Sequence, residues 1–246
     1  MITGRLHSIE TFGAVDGPGI RTIFFLQGCP ARCLYCHNPD TWAYDGGQTV
    51  TLEEVLRTAQ RSVPYYGKNG GVTFSGGEPL KQGEFVLNAV RMLKQHGIGS
   101  VIDTSGTWVD EYTEEIVKEC DMLLLDVKHS DPLRFEAICG CHQDSLNRII
   151  EMANRWNTPV WVRQVIVPGI NDTEENIDAL SNFIESKIQN LYNAELLGYH
   201  TMALDKYKNM NMQYRLDGVP PMARERLNVL NNRLRRNLDL AEEEIA

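Results

Sequence analysis

Three cysteines, Cys29, Cys33 and Cys36, lie close together in the pattern C-x3-C-x2-C. They follow a short apolar run at residues 22–27 that predicts a β-strand. Thiolates are the usual protein ligands of iron–sulfur clusters, and such a cluster normally takes four of them. Three thiolates would leave one iron of a [4Fe–4S] cubane open to an outside ligand. The pattern therefore predicts a cluster-binding loop, residues 28–38, at the end of the first strand.

Two other interpretations of the cysteine loop stay open at this point. His37 could complete a structural zinc site, which would make the chain a zinc-binding interaction module without turnover. Adjacent ligands such as Cys36 and His37 do not match common zinc-finger spacing, however. The thiols could also be ordinary small residues of the core, since free cysteine is often buried. Cys120, Cys139 and Cys141 lie outside the motif and are interpreted as incidental thiols.

The composition is that of an ordinary globular protein. The 246 residues are 42% hydrophobic and 23% charged, with a net charge of −9. This acidic balance argues against a nucleic-acid partner, because binding to phosphates needs a concentrated basic surface. The first residues are too polar for a signal peptide, and no apolar run is long enough to cross a bilayer. We therefore expect a cytoplasmic protein with reduced cysteines and no membrane partner.

Apolar runs alternate with amphipathic segments along most of the chain. The predicted strands are residues 22–27, 71–75, 100–104, 122–127, 160–167 and 194–197. The segments between them predict helices, and two have the spacing of an N-terminal capping box, at Thr51 with Glu54 and at Asp172 with Glu175. Repeated β–α units favour one α/β domain over residues 1–246, with the tail from about residue 239 frayed.

Six β–α units are fewer than the eight of a closed barrel. The predicted fold is therefore a partial (β/α)6 TIM-like barrel of parallel strands that is open at the side. A doubly wound sheet is the alternative.

Polar residues follow three of the later strands. Residues 76–78 are Gly-Gly-Glu, where glycines would let a ligand approach the backbone and the carboxylate could meet an ammonium, although plain Gly–Gly turns are common. Asp103 ends the third strand, and Asp126 and Lys128 end the fourth. Because Asp126 and Lys128 alternate along a strand, they share one face. They could bind a ligand there or form a salt bridge with each other.

The cysteine motif, with Tyr35 before its last cysteine, resembles the signature of the radical S-adenosylmethionine (SAM) enzymes. Together with the DGPGIR segment at residues 16–21, it is similar to one branch of that family, the glycyl-radical-enzyme activases. The likeness runs from Gly4 to about Leu234 and is greatest to members that act on pyruvate formate-lyase. It implies that SAM is cleaved reductively at a [4Fe–4S] cluster to a 5′-deoxyadenosyl radical, which removes a glycine Cα hydrogen from the protein substrate.

The resemblance also implies roles for individual residues. Cys29, Cys33 and Cys36 would hold the cluster, and Asp16 would lie near the backbone of the substrate peptide. The implied cofactor-binding residues are Tyr35, Cys36, His37, Gly76, Gly77, Glu78, Asp103, Thr104, Asp126, Val127, Lys128, Arg163, Val165 and His200.

Within that set, the methionyl amine would meet Glu78, and the methionyl carboxylate would meet Lys128. Arg163 would contact the same end of SAM, while Val165 and His200 would lie by the nucleoside. A monovalent cation is implied beside the two aspartates, with Thr104 near it.

The resemblance also implies an electron donor and a protein substrate. Flavodoxin or ferredoxin would supply the electron, and the protein would act as a monomer on the glycine loop of pyruvate formate-lyase. Another glycyl radical enzyme is the alternative substrate. Hydrogen-atom transfer needs no protein acid or base, so none is assigned.

Overall fold

One eight-stranded sheet forms the centre of the computed structural model, which describes residues 2–241. Its strands are β1 (Thr3–Gly13), β2 (Arg21–Leu26), β3 (Gln48–Thr51), β4 (Gly71–Gly76), β5 (Gly99–Thr104), β6 (Met122–Asp126), β7 (Val160–Ile166) and β8 (Leu191–Gly198). The order across the sheet is β3-β1-β2-β4-β5-β6-β7-β8. From β2 to β8 the six strands are parallel, each beside the next in that order, whereas β1 pairs antiparallel with both β2 and β3. Over the described residues β8 pairs only with β7, so the barrel is open.

Helices follow the strands and cover the outside of the sheet. Their bounds are α1 (Leu52–Tyr66), α2 (Gly83–Gln95), α3 (Thr113–Glu119), α4 (Pro132–Cys139), α5 (Asp144–Trp156), α6 (Glu174–Lys187), α7 (Leu204–Asn209) and α8 (Arg224–Asn237). The predicted capping box is present at α1, where Thr51 Oγ1 accepts from the Glu54 amide and the Glu54 carboxylate accepts from the Thr51 amide. Between residues 2 and 241, no helix is long and apolar enough to cross a membrane.

The N-cap of α6 was predicted one residue too early. Thr173, not Asp172, accepts the hydrogen bond from the third amide of the helix, that of Asn176, at 3.2 Å. Asp172 instead accepts from the Gly169 amide at 2.9 Å and closes the preceding turn. Both residue types favour caps, so the local pattern does not distinguish the two positions.

All six predicted strands are present in the predicted parallel order. The sequence did not predict β1, β3, α4 or α7. Of these, β1 has a weak pattern because most of its side chains are half-buried or exposed. Its pairing with β2 and β3 holds it in the sheet, rather than an apolar alternation of its own.

Alternation along the strands fixes which side chains enter the barrel. Val101, Met122, Leu124 and Trp161 pack together as a small apolar cluster inside it. The residues two positions after three of these, Asp103, Asp126 and Arg163, share their face and lie nearer the carboxyl ends of β5, β6 and β7. The barrel interior is therefore apolar in its middle and charged at one end.

The chain after α8 packs back onto the molecule as far as Ala241. The Arg235 side chain donates to the Ala241 carbonyl oxygen through Nε at 2.9 Å. The tail was predicted to fray from about residue 239, but backbone hydrogen bonds from Asp239 and Leu240 to α8 hold its first residues. Residues 242–246 lie outside the described residues, so fraying of that part stays a prediction.

Candidate functional site

A cavity of about 210 Å³ opens at the carboxyl ends of the parallel strands. It lies between the loop that carries the cysteine motif and the inner face of the barrel. Its walls are Cys29, Ala31, Cys33, Tyr35, Cys36, His37, Asn38, Thr41, Ser75, Gly76, Gly77, Asp103, Ser105, Asp126, Lys128, Val165 and Leu197. All three motif cysteines and eight other predicted site residues thus line one cavity.

Backbone hydrogen bonds hold the cysteine loop in place. The amide of Gly28 donates to the Thr41 carbonyl oxygen at 2.7 Å. The Arg32 and Leu34 amides donate to carbonyl oxygens at the end of α4, at 2.7 and 2.9 Å. Gly28 has φ of +93°, a conformation that other residues rarely adopt, where the chain leaves β2. The loop is therefore a fixed part of the fold, clamped between β2 and α4.

The three thiols form a donor set that suits soft metals. Cys29 is 8% exposed, and Cys33 and Cys36 are half-buried; none forms a disulfide. Burial raises the pKa of all three thiols, that of Cys33 to about 11. All three line the cavity, and no three His, Cys, Asp or Glu side chains of residues 2–241 are placed to hold a single metal ion. A cubane binds each thiolate through a different iron, so this donor set fits a cluster.

The Gly-Gly turn after β4 closes the other wall. A Cβ on Gly77 would overlap the carbonyl oxygen of Gly28, and one on Gly76 would overlap the backbone of Leu26. Gly76 also has φ of +108°. Only glycine lets this turn pack directly against the start of the cysteine loop. Backbone, rather than side chains, therefore forms the cavity wall here.

Glu78 does not face the cavity, in contrast to the role that the resemblance implies. Its side chain is fully buried, and its four hydrogen bonds come from within the protein. Oε1 accepts from the Leu80 amide at 3.2 Å and the Thr104 hydroxyl at 2.7 Å. Oε2 accepts from the Ser105 amide at 3.1 Å and the Ser105 hydroxyl at 2.6 Å. Glu78 and Thr104 thus tie the turn after β4 to the turn after β5.

Four charged side chains form a network at the base of the cavity. The Arg163 guanidinium contacts Asp103 through Nη2 and donates to Asp126 through Nε at 3.0 Å. Lys128 Nζ donates to the other oxygen of Asp126 at 2.9 Å, and Ser75 Oγ donates to the other oxygen of Asp103 at 2.6 Å. The salt bridge that the spacing allowed between Asp126 and Lys128 is therefore present.

The network sets the charge states at this end of the barrel. Burial raises the pKa of Asp103 to about 6, opposed by the charge of Arg163. Burial also acts on Asp126, but the charges of Lys128 and Arg163 outweigh it and lower its pKa to about 2. The pKa of Lys128 lies well above its ordinary value; burial opposes this, but the charge of Asp126 prevails. Two carboxylates and two cations therefore balance in a mostly buried site.

Aromatic and apolar groups form the upper rim. The His37 and His200 rings stack in parallel, with centroids 3.9 Å apart, and the His37 ring nitrogen Nε2 lies 3.1 Å from the His200 carbonyl oxygen. Burial lowers the pKa of His37, which favours its neutral form. Tyr35 is buried beside Lys128, whose Nζ lies 5.7 Å from the ring centroid. Val165 lines the same side.

Two further predicted residues lie away from the cavity wall. Val127 is fully buried, and its amide donates to the Arg163 carbonyl oxygen at 2.9 Å. Asp16 is half-buried in the loop between β1 and β2, and its carbonyl oxygen accepts from the Thr73 hydroxyl inside the barrel at 2.7 Å. Burial raises the pKa of the Asp16 carboxyl, opposed by the charge of Arg163.

The sequence did not single out several cavity residues. Ser75 is the most informative. It lies near the end of β4, just before the Gly-Gly turn, and its side chain is on the same face of the strand as that of Thr73. A polar residue on the inner face at the end of a buried strand is the signal that could have found it. Ser105, Asn38 and Leu197 lie in loops or at a strand end and carry no such pattern.

The open barrel of six parallel strands, with three cysteines in the loop after the first of them, defines the class of radical SAM enzymes. A model of the 4Fe-4S single cluster domain matches residues 15–150. The chain shares its fold with a radical SAM methyltransferase from Sphaerobacter thermophilus, with a TM-score of 0.59 at 16% identity over 88% of this chain and 64% of that one.

Curated relatives define the family more narrowly. The chain is 44% identical over 240 residues to a pyruvate formate-lyase-activating enzyme of Clostridium pasteurianum, covering 97% of this chain and 100% of the relative. It is 40% identical to one of Staphylococcus epidermidis, covering 90% and 91%. A solved domain of such an enzyme from Bacteroides vulgatus matches with a TM-score of 0.55 at 26% identity, over 68% of this chain and 94% of that one. The chain belongs to the family of pyruvate formate-lyase-activating enzymes.

Proposed function

We propose that this protein activates pyruvate formate-lyase by generating a glycyl radical on it. When bound, a [4Fe–4S] cluster and SAM supply the reductive cleavage that yields a 5′-deoxyadenosyl radical, which takes the glycine Cα hydrogen. The observation that carries the proposal is the convergence of three thiols, a glycine turn and a charged network on one cavity. The names of the curated relatives support the choice of protein substrate.

Cys29, Cys33 and Cys36 are the residues that would hold the cluster. Their thiols have raised pKa values in the buried loop, so binding of iron must displace their protons. The fixed loop holds all three thiols on one wall of the cavity, which lowers the entropy that is lost when the cluster binds.

The charged end of the cavity would hold the methionyl group of SAM. Lys128 is the one cation of the network that lines the cavity, so its ammonium would bind the methionyl carboxylate. The backbone at Gly76 and Gly77 offers carbonyl oxygens to the methionyl amine. Arg163 would hold Asp103 and Asp126 in position from beneath.

The aromatic rim would hold the nucleoside. The stacked rings of His37 and His200 offer a flat surface, and Tyr35 and Val165 add apolar area beside it. A neutral His37 suits an uncharged adenine better than an imidazolium would.

A monovalent cation beside Asp103 and Asp126 does not fit the arrangement of these side chains. Each of the four carboxylate oxygens already accepts a hydrogen bond from Arg163, Lys128 or Ser75. A cation would bind only if Arg163 moved away. We therefore propose it only as a replacement for these contacts, to be tested by the dependence of SAM affinity on potassium at constant ionic strength.

The open side of the barrel would admit the glycine loop of the protein substrate. Asp16 lies in a loop that the Thr73 hydroxyl fixes inside the barrel, so its carboxylate is positioned to accept from amides of an extended peptide. The electron would come from flavodoxin or ferredoxin, and we propose a cytoplasmic monomer.

Anaerobic electron paramagnetic resonance tests the proposal. The reconstituted protein is mixed with SAM, dithionite and pyruvate formate-lyase, and 5′-deoxyadenosine is measured in parallel. A glycyl-radical doublet with 5′-deoxyadenosine would support the function. Deoxyadenosine without the doublet would indicate another glycyl radical enzyme as the substrate. One zinc per chain, with no iron or sulfide after anaerobic purification, would refute the proposal and favour a zinc-binding module.

A further inference from the structure

Two cations lie in or beside the cysteine loop without lining the cavity. Arg32 lies between Cys29 and Cys33 in the chain and is exposed. Its guanidinium donates to the carbonyl oxygens of Cys29 and Ala31 at 2.7 and 2.8 Å. Lys81 lies in the short helical turn after the Gly-Gly segment. Both cations are therefore carried by the two segments that wall the cluster cavity.

Both cations rest on aromatic rings. The Arg32 guanidinium carbon lies 4.7 Å from the centroid of the Trp42 ring. Lys81 Nζ lies 3.1 Å from the Trp108 centroid and 5.3 Å from that of Tyr44. Such contacts attract the cation to the face of the ring without cancelling its charge, on an exposed Arg32 and a half-buried Lys81. We call the surface of these five residues the loop face.

No carboxylate within residues 2–241 neutralises either cation of the loop face at salt-bridge distance. Two carboxylates nearby are occupied otherwise. Glu78 is fully buried in its own hydrogen bonds, and Asp110 accepts from the Trp108 indole and the Tyr112 amide. The loop face therefore keeps a positive charge on a protein whose net charge is −9.

The loop face lies directly against the cluster loop. A Cβ on Gly28 would lie 2.5 Å from the Tyr44 ring, so this ring covers the residue that precedes Cys29. The Tyr44 side chain is itself exposed, at 47%. The Trp42 carbonyl oxygen accepts from the Cys29 amide at 3.4 Å. A molecule bound on the loop face would thus be separated from the cysteines by little more than one layer of side chains.

We propose that the loop face docks a small acidic protein that carries one electron, a proposal that rests on the proposed function. Acidic groups on the carrier would complement Arg32 and Lys81, while the remaining surface, which is acidic overall, would repel the carrier. The reduced carrier loses one electron and the cluster gains one; no bond forms or breaks. The loop face thus combines charge complementarity with proximity to the site that must be reduced.

Titration calorimetry on the cluster-loaded protein, with oxidised flavodoxin as the probe, tests this inference. Arg32→Glu and Lys81→Glu should each raise Kd about tenfold, and higher salt should weaken binding by the parent protein. Arg61→Glu and Lys68→Glu are matched controls, because both residues are exposed near the far end of α1 and the turn after it. Their Kd values should stay within about twofold of the parent.

Iron content and flavodoxin Kd are both measured for each variant, so that loss of the cluster is distinguished from loss of docking. Lys81→Glu does not touch the cysteine loop, so its iron content should equal that of the parent even if Arg32→Glu loses iron. Unchanged flavodoxin Kd in both loop-face variants would overturn the inference, as would equal weakening in the controls. Weaker binding of pyruvate formate-lyase, with flavodoxin unaffected, would also overturn it. Failure of the proposed function would appear separately, as absence of 5′-deoxyadenosine when dithionite reduces the parent protein.

Discussion

Replacing Glu78 by Gln distinguishes a structural role from contact with SAM. The carboxylate accepts two hydrogen bonds on each oxygen, and all four come from the protein. Glutamine keeps one oxygen but places an NH2 group where the other was. If that oxygen still accepts from Leu80 and Thr104, the NH2 group faces the amide of Ser105, which can only donate, and the hydroxyl of Ser105, which would have to turn and accept. The exchange therefore creates a conflict inside a buried turn.

The cost follows from the bonds that are lost. A hydrogen bond to a charged group contributes about 1.5–3 kcal/mol. At Oε2 the bond from the Ser105 amide is lost, and the bond from the Ser105 hydroxyl to a charged group is replaced by a weaker neutral one. The Ser105 hydroxyl can donate instead to Thr107 Oγ1, which lies 2.8 Å away, so part of its share is recovered. The free energy of unfolding should therefore fall by about 3 kcal/mol. For a chain of this length, that lowers Tm by about 6–12 °C.

Urea unfolding and calorimetric SAM binding measure the two roles independently. Glu78→Gln should show the loss of stability, while its SAM affinity, at a temperature where it is folded, stays within about threefold of the parent. Ser105→Ala is the control, since it removes one donor and leaves the amide bond, and should cost about 1 kcal/mol. A stable Glu78→Gln protein that has lost SAM binding would refute the structural role and restore Glu78 as a ligand of the methionyl amine.

Three further changes test other parts of the site. Cys33→Ala should abolish bound iron and sulfide in chemical analysis, whereas Cys120→Ala, outside the cavity, should keep both; equal iron in the two would exclude Cys33 as a ligand. Gly77→Ala should destabilise the protein in urea because its Cβ would overlap the Gly28 carbonyl, and unchanged unfolding would contradict that contact. Because the pKa of Asp126 falls from 3.8 to about 2 on folding, about 2 kcal/mol of stability should be lost as pH drops through that range. Asp126→Asn should remove that part of the pH dependence of unfolding.

Much of the site could be predicted because parallel strands end at the same edge of the sheet. The cysteine spacing, the Gly-Gly turn and the strand-end residues Asp103, Asp126 and Lys128 were each visible in the sequence. Once six parallel strands were predicted in chain order, these groups had to meet at one end of the barrel. Prediction thus succeeded where a local pattern combined with a general rule of topology.

The remaining features depend on contacts between segments that are distant in the chain. Arg163 binds Asp103 and Asp126 because β6 lies beside β5 and β7 in the sheet, and its two partners cannot be read from β7 alone. Glu78 turns away from the cavity because Thr104, which ends β5, and Ser105, which follows it, donate to its carboxylate. The strand β1 escaped prediction for the same reason, since its pairing partners, rather than its own pattern, place it in the sheet.

The charge balance of the network also limits which ligand the cavity can accept. Asp103 and Asp126 are matched by Arg163 and Lys128, so the buried site is close to neutral before a ligand enters. A polyphosphate would add several negative charges to a buried, balanced network, and that costs free energy unless new cations enter with it. An amino-acid end carries one ammonium and one carboxylate and adds no net charge. Its carboxylate can contact Lys128, and its ammonium can contact the backbone at Gly77, so the charges stay balanced. The site therefore favours an amino-acid-containing cofactor such as SAM over a nucleotide bound through phosphates.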